Sequence, residues 1–159
     1  MKPRSILFVC MGNICRSPLA EGILVHLVGT HPENEGMMIE SAGTGGWHRG
    51  NPPDPRSIDV ARAHGIDISR QRARQVSPQD FERFELILAM DDDNLNTLHQ
   101  SCPVEHQHKL HLFSSYASGT RENVPDPYYG GDDGFLDVYN MLFDGCRSVL
   151  EKIELTRGS

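Results

Sequence analysis

A thiol and a guanidinium flank a short loop near the start of the chain, as Cys10 and Arg16. The loop follows the apolar run 6–9 and precedes a stretch with helical spacing, so it joins a predicted strand to a predicted helix. Backbone N–H groups at a helix N-terminus form an anion site, and that positive end and a nearby Arg both favour an ionised thiol. The spacing therefore predicts a phosphate-binding loop with a nucleophile at its base.

The loop residues suit a phosphoryl group. Gly12 and Asn13 are the residues best able to adopt positive φ, which lets successive N–H groups converge into an anion nest. Arg16 adds a planar fork that can hold two phosphoryl oxygens at once. We expect the Cys10 thiolate to lie below the phosphorus, in line for attack. The predicted phosphate-binding residues are Met11, Gly12, Asn13, Ile14, Cys15, Arg16 and Ser17.

A carboxylic acid far along the chain is the predicted proton donor. Asp126 lies between Pro125 and Pro127, which restrict the backbone and favour extended geometry at the aspartate. Tyr128 and Tyr129 follow it, as expected at the mouth of a substrate pocket. The oxygen that leaves phosphorus needs a proton, and the same carboxylate can later accept a proton from the water that hydrolyses a phosphocysteine. We therefore predict that Asp126 is the general acid.

Apolar runs alternate with helical patterns, which predicts an α/β fold with a parallel sheet flanked by helices. Ser17 is a favourable N-cap and Pro18 suits the first helical position, so we expect the first helix to begin there. The predicted strands cover 6–10, 37–40, 86–89 and 109–113, and the predicted helices cover 18–28, 56–63, a short segment after 91, and 134–153.

Length and charge restrict the class of protein. The 159 residues predict one domain over 1–156 with a tail at 157–159. The net charge of −7 argues against general affinity for nucleic acid or anionic membranes. A cleft of converging dipoles still attracts an anionic substrate, because surface charges beyond about 10 Å are screened. Four cysteines, with no secretory signal and no apolar run approaching about 20 residues, predict thiol chemistry in the cytoplasm.

Residues 9–18, together with the Asp-Pro-Tyr-Tyr sequence at 126–129, resemble the low-molecular-weight protein tyrosine phosphatase family. The stretches 40–43, 51–54 and 73–75 extend the resemblance over essentially the whole chain. It implies a central four-stranded parallel sheet with helices on both faces. It also implies hydrolysis of phosphotyrosine and small aryl phosphates through a phosphocysteine, with no metal and no cofactor. The implied partner is a phosphotyrosine-containing protein, with inorganic phosphate or vanadate as inhibitors.

The resemblance also assigns roles to single residues. Cys10 would be the nucleophile, Arg16 the phosphate clamp and Asp126 the general acid. Ser17 would hydrogen-bond the Cys10 sulfur and ease its departure. Aromatic walls would stack on a phenyl ring. The implied supporting network consists of Asn13, Ser17 and Ser41, and the implied pocket walls are Met11, Trp47, Tyr128 and Tyr129.

Three positions keep alternative interpretations. Many family members have a histidine shortly before the Ala-Arg-Gln stretch, where this chain has Gln71. Glutamine does not titrate, so the resemblance does not extend to a histidine-linked step in the pH profile. Cys15 is either a packing residue or a redox partner that traps oxidised Cys10 as a disulfide. Trp47 is either a pocket wall or a core residue, since a lone Trp is often buried.

Two further functions compete with hydrolysis. A thioredoxin-coupled arsenate reductase of the same fold needs a relay of further cysteines, and Cys102 is the single cysteine in that part of the chain. Asp126 would be superfluous in such an enzyme. A non-catalytic phosphate-binding module would bind phosphate without turnover. A zinc site from Cys10 and Cys15 lacks a second pair at ligand spacing, and Cys102 and Cys146 are expected to be inert.

Overall fold

A computed structural model of the chain describes residues 3–31, 34–129 and 132–157, without the side chains of Tyr129, Asp132 and 155–157. Its four strands form one parallel sheet in the order β2-β1-β3-β4. The sequence prediction of a four-stranded parallel sheet is confirmed. The strands are β1 (Ser5–Cys10), β2 (Met38–Gly43), β3 (Leu86–Ala89) and β4 (Leu110–Leu112).

Helices connect the strands, as parallel pairing requires. No helix of the described ranges is long and apolar enough to cross a membrane. 3₁₀ turns lie at Val104–Lys109 and Pro127–Tyr129. The α-helices are α1 (Arg16–Gly29), α2 (Pro55–Ala63), α3 (Pro78–Arg83), α4 (Asp92–Ser101), α5 (Phe113–Ser118) and α6 (Asp132–Arg157).

The central strand β1 is buried on both faces, which explains its continuous apolar sequence. Ile6 and Phe8 pack into the cluster that contains apolar residues of α1 and α6. Leu7 and Val9 point to the opposite cluster, with residues of α3 and α4. Because side chains alternate along a strand, Cys10 follows Ile6 and Phe8 and lies on the α1 side. The pleat thus places the thiol under the start of α1.

The start of α1 differs from the prediction. The helix begins at Arg16 after Cys15, so Ser17 is not its N-cap and Pro18 is not its first residue. The Ser17 hydroxyl lies 2.9 Å from the Cys10 sulfur instead of capping its own helix. β2 also extends beyond its predicted end, because residues 41–43 pair with the end of β1.

Two short helices were not predicted. α3 carries a signal that sequence reasoning could have used, a capping box between Ser77 and Asp80 with Pro78 in the first turn. α5 follows β4 directly and is capped at its C-terminal end by Gly119, whose φ of 76° glycine adopts without strain. α6 is longer than the predicted 134–153, whereas β4 is shorter than the predicted 109–113.

Candidate active site

The loop between β1 and α1 turns at Asn13, whose φ is 57°. A left-handed residue there allows successive N–H groups to face one hollow. The prediction of positive φ is wrong for Gly12, which lies outside that region. Gly12 instead leaves room for a neighbour, since a Cβ there would lie 3.0 Å from His48 Cδ2. The turn therefore depends on one residue, Asn13.

The Asn13 side chain holds this strained turn through three hydrogen bonds. Its Nδ2 donates to Ser17 Oγ at 2.8 Å and to Ser41 Oγ at 3.0 Å. Its Oδ1 accepts from the backbone N of Arg74 at 3.0 Å. Ser41 in turn donates to Glu21 Oε1 at 2.7 Å. The structure thus brings Asn13, Ser17 and Ser41 together, and adds Glu21 and Arg74, which sequence reasoning missed.

Asn13 restricts the directions in which the two hydroxyls can donate. Ser17 Oγ accepts from Asn13, so its proton can point at the Cys10 sulfur, 2.9 Å away, which is nearer than its other acceptor, the Ala42 carbonyl at 3.5 Å. Ser41 also accepts from Asn13 and sends its proton to Glu21. A hydrogen bond donated to a sulfur favours its anionic form. Cys10 is almost fully buried, with 3% of its surface exposed, and faces the hollow of the loop.

The Arg16 guanidinium is buried and already oriented. Nη1 donates to Asp91 Oδ2 at 2.6 Å and to the Val124 carbonyl at 3.0 Å. Nη2 lies 3.7 Å from Asp126 Oδ2. Burial alone would lower the pKa of Arg16, but Cys10, Asp91 and Asp126 raise it above its usual value. The cation is therefore permanent and faces the cleft.

Asp91 was missed as a site residue, although one signal was available. It follows the buried strand β3 closely, and the carboxyl ends of parallel strands meet at one edge of the sheet. Its Oδ1 accepts from Asn94 N at 2.8 Å and caps α4, while Oδ2 binds Arg16. The same carboxylate thus caps α4 and binds the Arg16 guanidinium.

Asp126 lies at the cleft on the loop before α6. Its Oδ1 accepts from Tyr128 N at 3.0 Å, which is the short turn expected after an aspartate in this sequence. Its side chain remains 29% exposed. The carboxylate can therefore meet a substrate oxygen in the cleft, which the loop residues line from below.

The cleft has a volume of about 330 Å³. Trp47 is 74% exposed and is a wall, not a core residue. Its indole lies on the backbone of Gly45, where a Cβ would overlap the ring. His48 also lines the cleft and was not predicted; its position directly after Trp47 was the available signal. The lining residues are Cys10, Met11, Gly12, Ile14, Cys15, Arg16, Trp47, His48, Asp126 and Tyr128, while the predicted wall Tyr129 has a side chain outside the described residues.

All four cysteines are free thiols, in three different environments. Cys15 lines the cleft, and burial followed by the charge of Asp54 raises its pKa to about 12. Cys102 packs among residues of α3 and α4, and Cys146 is fully buried in the core beside α1. Neither lines the cleft, which does not favour the cysteine relay of an arsenate reductase. Burial raises the pKa of Cys146.

Gln71 is bound to α1 and not to the loop network. Its Nε2 donates to the Pro18 carbonyl at 3.1 Å. Its Oε1 is buried without a partner within the described ranges. Across those same ranges, no three His, Cys, Asp or Glu side chains are grouped so as to hold a metal ion.

Comparisons with known proteins agree with this geometry. The family model "Low molecular weight phosphotyrosine protein phosphatase" matches residues 5–157. Relatives of that name include one from Schizosaccharomyces pombe, 44% identical over 93% of this chain and 96% of its own. The human relative is 42% identical over 94% of this chain and 95% of its own. The crystal structure of a protein tyrosine phosphatase from Entamoeba histolytica superposes with a TM-score of 0.90 at 36% identity, covering 96% and 98% of the two chains.

Proposed function

Because the chain belongs to the low molecular weight phosphotyrosine protein phosphatase family, we propose roles for its own residues in the hydrolysis of phosphotyrosine. The activity is a cysteine-dependent hydrolysis of a phosphoric monoester through a phosphocysteine. The observation that supports the assignment is that Cys10, Arg16 and Asp126 line one cleft. The substrate is a phosphotyrosine-containing protein.

The phosphoryl group binds in the hollow of residues 10–16. Loop N–H groups and the Arg16 fork hold its oxygens, with Nη2 directed to the cleft because Nη1 is bound by Asp91 and Val124. The Arg16 fork is oriented before substrate binds. Together with the loop N–H groups it stabilises the charge that spreads over the equatorial oxygens during transfer.

Transfer to sulfur is the first chemical step. The Cys10 thiolate forms a bond to phosphorus while the bond from phosphorus to the tyrosine oxygen breaks. Asp126 gives its proton to that departing oxygen, which leaves as a phenol. Trp47 and Tyr128 face the ring of the substrate from the walls of the cleft.

Hydrolysis of the phosphocysteine is the second step. Asp126, now a carboxylate, takes a proton from water as the water oxygen attacks phosphorus, and the bond to sulfur breaks. The Ser17 hydroxyl, 2.9 Å from the sulfur, donates to the departing thiolate. Inorganic phosphate is released, and we expect the same loop to bind phosphate or vanadate as inhibitors.

Cys10→Ser tests the assignment. The variant is expected to lose hydrolysis of phenyl phosphate and of a phosphotyrosine peptide, while vanadate still binds the unchanged N–H groups. Cys102→Ser, which replaces a thiol outside the cleft, is the matched control and is expected to keep turnover. Turnover by Cys10→Ser would refute the nucleophile. Arsenate-dependent thiol consumption by the unmodified protein would favour the reductase instead.

We propose the cytoplasm as the compartment and Cys15 as a redox partner of Cys10. Support for both comes from the four free thiols, which reducing compartments preserve, and from the position of both cysteines at one cleft. A disulfide between the two would protect the nucleophile from irreversible oxidation.

A further inference from the structure

The segment that carries Asp126 accepts a hydrogen bond from Arg56, a residue of α2. Arg56 Nη2 donates to the carbonyl of Tyr128, two residues after the acid, at 3.0 Å. The guanidinium carbon also lies 5.6 Å from the centre of the Tyr128 ring and 4.4 Å from that of Phe135. Phe135 is a buried residue of α6, so it provides a fixed surface. Arg56 therefore touches both the acid segment and the helix after it.

Arg56 is itself held by a buried aspartate. Asp54 Oδ1 accepts from the backbone N and from Nε of Arg56, at 2.9 and 3.0 Å, and Oδ2 accepts from Nη2 at 3.0 Å. Asp54 is the N-cap of α2 and is only 9% exposed. Burial opposes ionisation, but the hydrogen bonds from Arg56 lower the pKa of this carboxyl. The pair is thus ionised and has a fixed geometry.

The same aspartate is attached to the phosphate loop. Its backbone N donates to the carbonyl of Ile14 at 2.8 Å, and Ile14 lines the cleft. A continuous path therefore leads from Ile14 through Asp54 and Arg56 to the Tyr128 carbonyl. It joins the loop that would hold the phosphate to the segment that would deliver the proton.

We propose that Arg56 is a positioning residue that places Asp126 over the departing oxygen. This inference rests on the proposed function, in which Cys10 is the nucleophile and Asp126 the acid. A planar fork suits this role because it can bind Asp54 on one side and the Tyr128 carbonyl on the other. Among the described residues, the Asp126 side chain accepts a hydrogen bond from its own segment, Tyr128 N, and Arg16 Nη2 lies 3.7 Å from Oδ2, beyond hydrogen-bond distance. The place of Asp126 relative to Cys10 therefore depends largely on how that segment is fixed. Small displacements of a proton donor cost rate steeply.

A comparison of leaving groups separates positioning from general stabilisation. Phenyl phosphate releases a phenol with a pKa of about 10 and needs the acid, whereas p-nitrophenyl phosphate releases a stabilised anion that needs it less. We expect Arg56→Met to lower kcat/KM for phenyl phosphate about tenfold, a fraction of the 10²-fold or more that a general acid contributes. The change for p-nitrophenyl phosphate is expected to stay within about twofold. Arg62→Met, on the exposed side of the same helix, is the matched control.

A double variant tests whether Arg56 acts through Asp126. In an Asp126→Asn background no acid is left to position, so Arg56→Met is expected to have no further effect on phenyl phosphate. The vanadate dissociation constant of the single variant is expected to match that of the unmodified protein. An equal loss for both substrates, or the same tenfold loss in the Asp126→Asn background, would overturn the proposal. Arg56→Lys replaces Arg56→Met if the latter does not fold, with the same expected selectivity.

The outcomes distinguish this inference from the function on which it rests. If Cys10→Ser retains turnover, the assigned chemistry fails whatever Arg56 does. If Cys10→Ser is inactive, Asp126→Asn is selectively slow with phenyl phosphate, and Arg56→Met equals the unmodified protein, only the positioning role fails.

Discussion

The buried Arg16 and the half-buried Asp91 form an ion pair, with 2.6 Å between Nη1 and Oδ2, where the ends of β1 and β3 adjoin. The pair fixes one side of the guanidinium and leaves Nη2 directed towards Asp126. Because Asp91 also caps α4 through Asn94, the orientation of the clamp is tied to a helix and not to a mobile side chain. A buried cation that loses its partner is strongly disfavoured.

Asp91→Ala is expected to weaken vanadate binding about tenfold and to lower the free energy of unfolding by about 2 kcal/mol, since both the cap and the ion pair are lost. Inhibition titrations and urea denaturation measure the two effects. Asp93→Ala, an exposed acid in the first turn of the same helix, is the control and is expected to change neither by more than a small amount. Unchanged vanadate affinity in Asp91→Ala would show that Arg16 does not need Asp91 for its orientation.

Asn13 supports two separable predictions, one for its backbone and one for its side chain. Asn13→Gly tolerates the φ of 57° but loses three hydrogen bonds. Asn13→Ala loses the same bonds and adds left-handed strain, so it is expected to be less stable than Asn13→Gly by about 1 kcal/mol. Urea denaturation measures this difference. Both variants are expected to lose most activity, because the Ser17 proton is no longer directed at Cys10. Equal stability of the two would mean that the loop has left this conformation.

The raised pKa of Glu21 predicts how the free energy of unfolding depends on pH. Burial, with Glu40 nearby, raises the pKa of Glu21 despite the hydrogen bond from Ser41. Because the pKa of Glu21 is higher in the folded state than in the unfolded state, its contribution to the free energy of unfolding is fully present below the ordinary pKa of 4.5. That contribution is lost as the pH rises through the folded-state pKa. Glu21→Gln, which still accepts from Ser41, is therefore expected to be more stable than the unmodified protein at pH 7. The two should converge towards pH 4.

Urea denaturation between pH 4 and pH 8 measures this difference. Glu151→Gln, an exposed glutamate of α6, is the control and should give a curve parallel to that of the unmodified protein. If Glu21→Gln is instead the less stable variant at pH 7, the network requires the carboxylate form of Glu21, and ionisation of this buried group stabilises the fold.

Trp47 is expected to contribute to recognition of the ring and not of the phosphate. Trp47→Ala should lower kcat/KM for phenyl phosphate about fivefold, equivalent to ~1 kcal/mol of lost stacking. The inhibition constant of vanadate, which has no ring, should not change. Val104→Ala removes an equally exposed apolar side chain outside the cleft and serves as control. A parallel loss of vanadate affinity would place Trp47 in the phosphate-binding structure.

Local sequence signals predicted the parts of the site that are local in the chain. The loop 10–16, the strands β1 and β3, and the helix α2 each depend on residues within about ten positions of one another. Asp126 could be predicted as a candidate, and it lines the cleft, because its flanking prolines and tyrosines form a pattern by themselves. The wall at Trp47 followed only from the family resemblance, since a single tryptophan does not reveal whether it is buried.

The residues that sequence reasoning missed are those whose partners are distant in the chain. Asp91 binds Arg16 across 75 positions, and Arg56 reaches Tyr128 across 72. Glu21 meets Ser41 only because β2 lies beside β1 under the start of α1. The start of α1 was misplaced for a related reason, because Ser17 forms a tertiary contact with the sulfur that outweighs its local preference for capping. Such pairings arise from the order of the strands in the sheet and produce no periodic pattern in the sequence.

The Trp47 indole lies against the backbone of Gly45. Gly45, which is not among the lining residues of the cleft, therefore determines the orientation of one cleft wall. A methyl added at position 45 would overlap the ring and force it to move. Selectivity among aryl phosphates can in this way change through residue 45, while Cys10, Arg16 and Asp126 stay the same.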